Sequence, residues 1–334
     1  MTLSVSWLNW WRYRRFMDWS KIKRVLPEAT KTAGAYTSLD ELIRIQFKVR
    51  DLSLLPHQPV TSILSGRYAS RLRGRGLNFE ELRSYQPGDD IRTMDWKVTA
   101  RTRSPHVRVY TEEKDRAVLI LVDQRLNMFF GTRQKLKSVT AAELAAIAAW
   151  RALDVGDRVG AIVFSDSESS EIIPHRSKQN VMAILGAVVR LNHKLSAESE
   201  AQPNGAMLNR VLEKACRVAT HDFLVVLISD FFGADEQSER LVTELAAHND
   251  VLAFLPHDPL RLDPGRQRLT VSDGSHQMEL DFSNHKVREK ITADFQAEQE
   301  QLQHFLQKLS APLLMISNQG DVARQVKQHL GVVA

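Results

Sequence analysis

Two acids stand where a folded chain gathers carboxylates. The run AVLILVD ends in Asp123, and HDFLVVLISD ends in Asp230. Both runs have the continuous apolar character of a strand covered on both faces. An acid at the end of such a strand is placed to hold a hard cation, which takes carboxylate, hydroxyl and amide oxygens. Ser229 and Asn127 add a hydroxyl and an amide oxygen beside the two acids. Arg125 points to different chemistry, because a guanidinium has five donors and no acceptor and cannot ligate a metal. Its permanent charge could instead stand between Asp123 and Asp230 in the electrostatic role of the cation.

A second concentration of charge runs from Arg73 to Glu113, RGRGLNFEELRSYQPGDDIRTMDWKVTARTRSPHVRVYTEE. Arg83, Arg92 and Arg101 offer planar forks that match carboxylates bidentately, and Asp89, Asp90 and Asp95 lie near them in sequence. Such a block can pair within itself, pinning a polar ribbon with Tyr85 and Trp96 as packing anchors. It can equally serve as a docking surface for another protein, and the two uses are compatible. Other chemistries find no support. The glycines of GRGLNF do not follow a strand and open a helix, and no nucleophile elbow, phosphate loop or His-Glu-x-x-His pattern is present. The eleven histidines are scattered, and a single acid such as Asp166 near a strand end carries little by itself. No catalytic residue and no cofactor are therefore expected.

The elements that would position these groups follow from periodicity. Leu39, Leu42, Ile43, Phe47 or Ile45, and Leu52 predict an amphipathic helix from Ser38 to Leu55, started by the Ser38/Glu41 capping box and ended by Pro56. QPGDD is a turn signal, and HVRVYTEE alternates as a strand. Strands are expected at 117–123, 155–165, 221–230, 249–257 and 312–317, with a short edge strand at 171–174. Helices are expected at 135–153, 177–191, 206–220, 235–247, 284–309 and 320–330, and a hairpin at 268–281 turning at Asp273-Gly274. Strands alternating with helices imply parallel crossovers and a doubly wound open sheet, whose binding crevice lies beyond the carboxyl ends of its strands.

The block GRGLNFEELRSYQPGDDIRTMDWKVTART resembles the signature of the domain of unknown function 58 family. The matching positions are Arg83, Tyr85, Gly88, Asp89, Arg92, Asp95, Trp96, Ala100 and Arg101, spaced without gaps. The resemblance extends more weakly over roughly residues 39 to 257. It implies a von Willebrand factor A-like α/β domain in proteins typically paired with MoxR-type AAA+ ATPases, with no reaction established for the family. Domains of that fold that bind Mg²⁺ use Asp-x-Ser-x-Ser after the first strand, a threonine from a later loop and a later Asp. Here the stretch reads Asp123-Gln124-Arg125-Leu126-Asn127, with Arg125 and Asn127 in the serine positions and no threonine that can be placed. A degenerate site without metal is the expectation.

The expected fold class is thus α/β: a von Willebrand factor A-like doubly wound, mostly parallel sheet, preceded by an N-terminal helix and a small β-rich ribbon. The expected divisions are a basic aromatic arm at 1–37, a helix plus ribbon at 38–116, and the α/β domain with its C-terminal hairpin and helices at 117–334. A net charge of +5 on 334 residues falls short of a nucleic-acid-binding signature. The single cysteine, Cys216, fits a reducing cytosol, and no run reaches the roughly 18 apolar residues of a membrane span. Four of the six tryptophans (Trp7, Trp10, Trp11, Trp19) sit beside Arg12, Arg14, Arg15, Lys21, Lys23 and Arg24, which makes the arm a candidate for peripheral membrane contact. The expected function is a cytoplasmic, non-enzymatic adaptor for a MoxR-type AAA+ ATPase or its client, using Asp123, Arg125, Asn127 and Asp230 as a metal-independent contact face. The alternative is a Mg²⁺-dependent binding module or hydrolase built on Asp123, Asn127, Asp230 and Ser229.

Overall fold

The computed structural model describes residues 34–49, 77–112, 116–196, 203–261, 268–272, 277–281 and 283–330. The basic aromatic arm before Gly34, the glycines of GRGLNF and the Asp273-Gly274 turn lie outside the described residues. In chain order the elements are α1 (Leu39–Arg44), β1 (Leu77–Ser84), α2 (Trp96–Thr102), β2 (His106–Glu112), β3 (Ala117–Asp123) and α3 (Lys137–Asp154). There follow β4 (Arg158–Phe164), β5 (Ser169–His175), α4 (Lys178–Asn192), α5 (Ala206–Val218), β6 (Phe223–Ile228) and α6 (Glu236–His248). The chain continues through β7 (Asp250–His257), β8 (Arg268–Ser272), β9 (Gln277–Asp281), α7 (His285–Lys308), β10 (Leu313–Ser317) and α8 (Val322–His329).

Six strands form one sheet in the order β10-β7-β6-β3-β4-β5. Its neighbours are parallel except β5, which pairs antiparallel with β4 at one edge. Parallel neighbours need crossovers, and the helices that make them cover both faces. On one face Val118, Ile120 and Val122 of β3 join a core with α1, α3, α4 and α8; on the other, Leu119 and Leu121 join a core with α5, α6 and α7. Every residue of β3 is buried, as its unbroken apolar sequence requires. Each fully buried Leu, Ile or Val contributes roughly 1.5–3 kcal/mol, so the carboxyl ends of β3 and β6 rest on strands anchored by a buried core.

The chain divides into two compact units, one of residues 1–56 with 116–334 and one of residues 57–115. The helix that the sequence groups with the ribbon packs instead within the α/β unit. Leu42 is fully buried, and the Trp150 indole N–H donates to its carbonyl at 3.1 Å. The Ser38 capping box forms as expected, yet α1 is short: it ends at Arg44 and passes into a 3₁₀ turn over Ile45–Lys48.

In the smaller unit β1 and β2 pair antiparallel, with an irregularity between Phe79 and Glu81. Gly88, at φ 107°, makes the QPGDD turn, closed by Asp89 N–H donating to the Gln86 carbonyl at 3.0 Å. Between the strands lies a helix, α2, where only ribbon was expected. Asp95 caps it, its Oδ1 accepting from the N–H groups of Lys97 and Val98 at 3.0 Å each.

Candidate functional site

Asp123 closes β3, and its carboxylate is fully consumed by protein donors. Oδ1 accepts from the Arg125 backbone N–H and from Nε, both at 3.0 Å. Oδ2 accepts from Arg125 Nη2 at 2.6 Å, from Nε at 3.2 Å and from the Ser229 hydroxyl at 2.6 Å. Both side chains of the ion pair are 0% exposed. The other arm of the guanidinium, Nη1, donates to the Asn204 carbonyl at 3.1 Å and the Phe232 carbonyl at 2.9 Å. The ring faces of Phe164 and Phe232 flank it, with centroids 5.4 and 5.8 Å away, within cation–π range. Burial works against the charged form of Arg125, but Asp123 beside it, with Asp230 and Asp166 further off, outweighs that and raises its pKa.

Asp230, just past β6, has its own cation. Lys137 Nζ donates to Oδ2 at 2.5 Å, while Asn127 Nδ2 and the Phe232 N–H donate to Oδ1 at 2.6 and 3.1 Å. Burial opposes ionisation of this carboxyl, yet Lys137 and then Arg125 prevail and hold its pKa down at about 2. The loops around the site are tied together by Asp166, which accepts from the N–H groups of Leu126 at 2.6 Å and Asn204 at 2.7 Å. Burial raises its pKa against the pull of those two backbone donors. The loops carrying Asn204 and Phe232 meet at Gly205 and Gly233: a Cβ on Gly233, at φ 79°, would lie 2.3 Å from Gly205 Cα. Nearby, Asp258 is fully buried and accepts from Thr132 N–H and Oγ1, Leu260 N–H and Asn318 Nδ2, each at 2.8 Å.

The four residues expected to share the strand-end site are thus brought together, but in two pairs. Asp123 is matched to Arg125, and Asp230 to Lys137 with Asn127. One expectation needs correction. Arg125 is not presented to a partner's carboxylate, since its side chain is fully buried and every nitrogen of its guanidinium is already bonded. A divalent cation does not fit here either. Both Asp123 oxygens are engaged, and the guanidinium fills the space beside them. Among the described residues no group of three or more His, Cys, Asp or Glu could hold a metal ion. Sequence reasoning missed Lys137, which sits in helix α3 with no local signal, and set aside Asp166 for want of a neighbour in sequence.

The signature residues of the smaller unit divide into two kinds. Arg83 grips Asp89 bidentately at 2.7 and 2.8 Å, and Arg108 reaches Asp95 at 2.8 Å. The Val98 N–H, then Arg108, lowers the Asp95 pKa. Trp96, expected as a packing anchor, is 65% exposed. Arg92 and Arg101 are exposed as well.

The model of the family described as "Protein of unknown function DUF58" matches residues 81–301. The chain belongs to the DUF58 family. Among curated proteins, this DUF58 chain is 26% identical over 275 residues to an uncharacterized protein of Mycobacterium bovis and to one of Mycobacterium tuberculosis, covering 82% of this chain and 84% of each relative. Among solved structures it is similar to a von Willebrand factor type A protein from Catenulispora acidiphila, with TM-score 0.34 and 14% identity over 67% of this chain. The DUF58 chain spans 43% of that structure's length. The fold is α/β, with the mostly parallel doubly wound sheet and the preceding helix expected from the sequence. Among the described residues of this DUF58 protein no helix is long and apolar enough to cross a membrane.

Proposed function

We propose that this DUF58 protein is a cytoplasmic, non-enzymatic adaptor that engages a MoxR-type AAA+ ATPase or that ATPase's client through a metal-independent strand-end site. The observation that carries this reading is Arg125. Its charge sits against Asp123 where a bound cation would sit, and its Nη1 holds the carbonyls of two further loops. A covalently attached cation cannot be lost to a chelator or exchanged, so the loops keep one arrangement whatever the metal supply. The partner then reads the partly exposed rim carried by those loops, in particular Leu126, Asn127 and Phe232, rather than the buried guanidinium.

The Mg²⁺-dependent alternative retains one observation. Asn127 Oδ1 is buried and accepts no hydrogen bond among the described residues. One amide oxygen does not make the near-octahedral oxygen shell Mg²⁺ demands, while the neighbouring carboxylates are held by Arg125 and Lys137. The deciding experiment is a pull-down of a purified MoxR-type ATPase with the full-length chain, with and without chelator, comparing wild type with Leu126→Asp. Capture that survives the chelator and is lost in the variant is expected. Capture abolished by chelator from a chain that stays folded by circular dichroism contradicts the metal-independent site.

A further inference from the structure

We infer that the smaller unit carries a second, separate docking face, formed on α2 by Trp96, Lys97 and Arg101, which takes an acidic segment of a partner protein. The inference does not depend on the strand-end site. It starts from a balance of charges within residues 82–108. Each carboxylate there is committed. Asp89 takes the Arg83 fork and the Gln86 N–H, Asp95 takes Arg108 and caps α2, and Asp90 caps the 3₁₀ turn through the Arg92 N–H at 2.9 Å. Arg83 and Arg108 are thereby used. Arg92, Lys97, Arg101 and Arg103 are exposed and have no carboxylate partner among the described side chains. Those four exposed cations fall within the stretch from Arg92 to Arg103, where the acid between them, Asp95, is spent on Arg108 and the α2 cap.

The same stretch exposes apolar surface that a self-sufficient unit would cover. Trp96 is 65% exposed, Ile91 60% and Leu82 38%. On α2, Trp96 and Ala100 stand one turn apart, as do Lys97 and Arg101, and all four are exposed. The indole therefore shares one open helix face with two cations. Large aromatic and arginine side chains are the types that dominate binding energy when a partner buries them. Arg forks select planar carboxylates, and the Arg83–Asp89 pair shows that geometry inside the same unit. A nucleic acid is a poorer match, because it needs an extended basic stripe and here the exposed cations fall within one short stretch. A bilayer is poorer too, because α2 has seven residues and a single aromatic to immerse.

The test uses the full-length chain and fluorescence anisotropy of a labelled peptide of alternating Glu and Leu. A Lys-Leu peptide of equal length, a single-stranded DNA oligomer and phosphatidylglycerol vesicles serve as competing probes. The expected result is salt-sensitive binding of the Glu-Leu peptide only, weakened at least tenfold in Arg101→Glu and in Trp96→Ala. Both side chains are exposed, so both variants should keep the wild-type melting temperature. Equal binding of the Lys-Leu peptide, tighter binding of DNA or vesicles, or unchanged affinity in folded Arg101→Glu would each overturn the inference. So would wild-type self-association that Trp96→Ala abolishes, since a second copy would then occupy the face.

Discussion

Replacing Arg125 by Met keeps the length of the side chain and removes its charge, and the structure fixes what that should do. Asp123 loses its bonds from Nε and Nη2 and keeps those from the residue 125 backbone N–H and Ser229. The carbonyls of Asn204 and Phe232 lose the Nη1 donor. Removing one partner of a fully buried ion pair costs roughly 3–5 kcal/mol, because the other charge is left uncompensated. That is a large share of the roughly 5–15 kcal/mol that holds an ordinary domain together. A second substitution separates the charge from the lost bonds. Asp123→Asn in the Arg125→Met background removes the stranded charge and leaves only unpaired polar groups, at about 1–3 kcal/mol each. The double variant should therefore be more stable than Arg125→Met by at least ~1 kcal/mol, an unusual case of a second core substitution restoring stability. Urea unfolding followed by circular dichroism gives the two midpoints at constant slope. A loss below about 1 kcal/mol in Arg125→Met, or a double variant less stable than that single one, would refute the assignment of Arg125 as a structural cation.

Acid should weaken the same site through Asp230. Its carboxyl is held at about 2 against an ordinary value of 3.8, so the unfolded chain binds more protons between those pH values. About 2 kcal/mol of stability, fully present above about pH 5, is then lost as pH falls through the folded value; about 1 kcal/mol of it should go between pH 5 and pH 3, and Asp230→Asn should remove that loss in urea midpoints measured over this range. Asp166, whose pKa is raised, works the opposite way and is unaffected by that substitution. Gly233→Ala should cost at least ~1–2 kcal/mol, since it forces a Cβ onto Gly205 at a left-handed φ; an unchanged melting temperature would mean the two loops do not meet. Leu42→Ala should cost about 2–5 kcal/mol in the main unfolding transition of the α/β unit, and a loss confined to a separate minor transition would place α1 outside that unit.

Much of the sheet was legible because its strands are buried on both faces. AVLILVD and FLVVLI have nothing polar to misread, and the acids that follow them mark the strand ends. The inability of Arg125 to ligate a metal was legible from its functional group alone. Its burial was not. The groups that receive and cover it, the carbonyls of Asn204 and Phe232 and the ring of Phe164, lie far along the chain. Lys137 was hidden for the same reason, 93 residues from Asp230. In the ribbon the error was different. Asp95 followed by WKVTART carries a helix-start signal, but the alternating strand after it drew the whole block toward β structure. Trp96 reads as an anchor of a self-paired ribbon in sequence, and only the fold shows that the first turn of α2 presents it outward.

The central claim is that the strand-end site holds a guanidinium where a cation would bind. Isothermal titration of the full-length wild-type protein with Mg²⁺ and with Mn²⁺ tests it most directly. No saturable heat is expected for either ion, with Asp123→Ala indistinguishable from wild type in this respect. Saturable binding to wild type that disappears in Asp123→Ala, with the variant still folded, would contradict it.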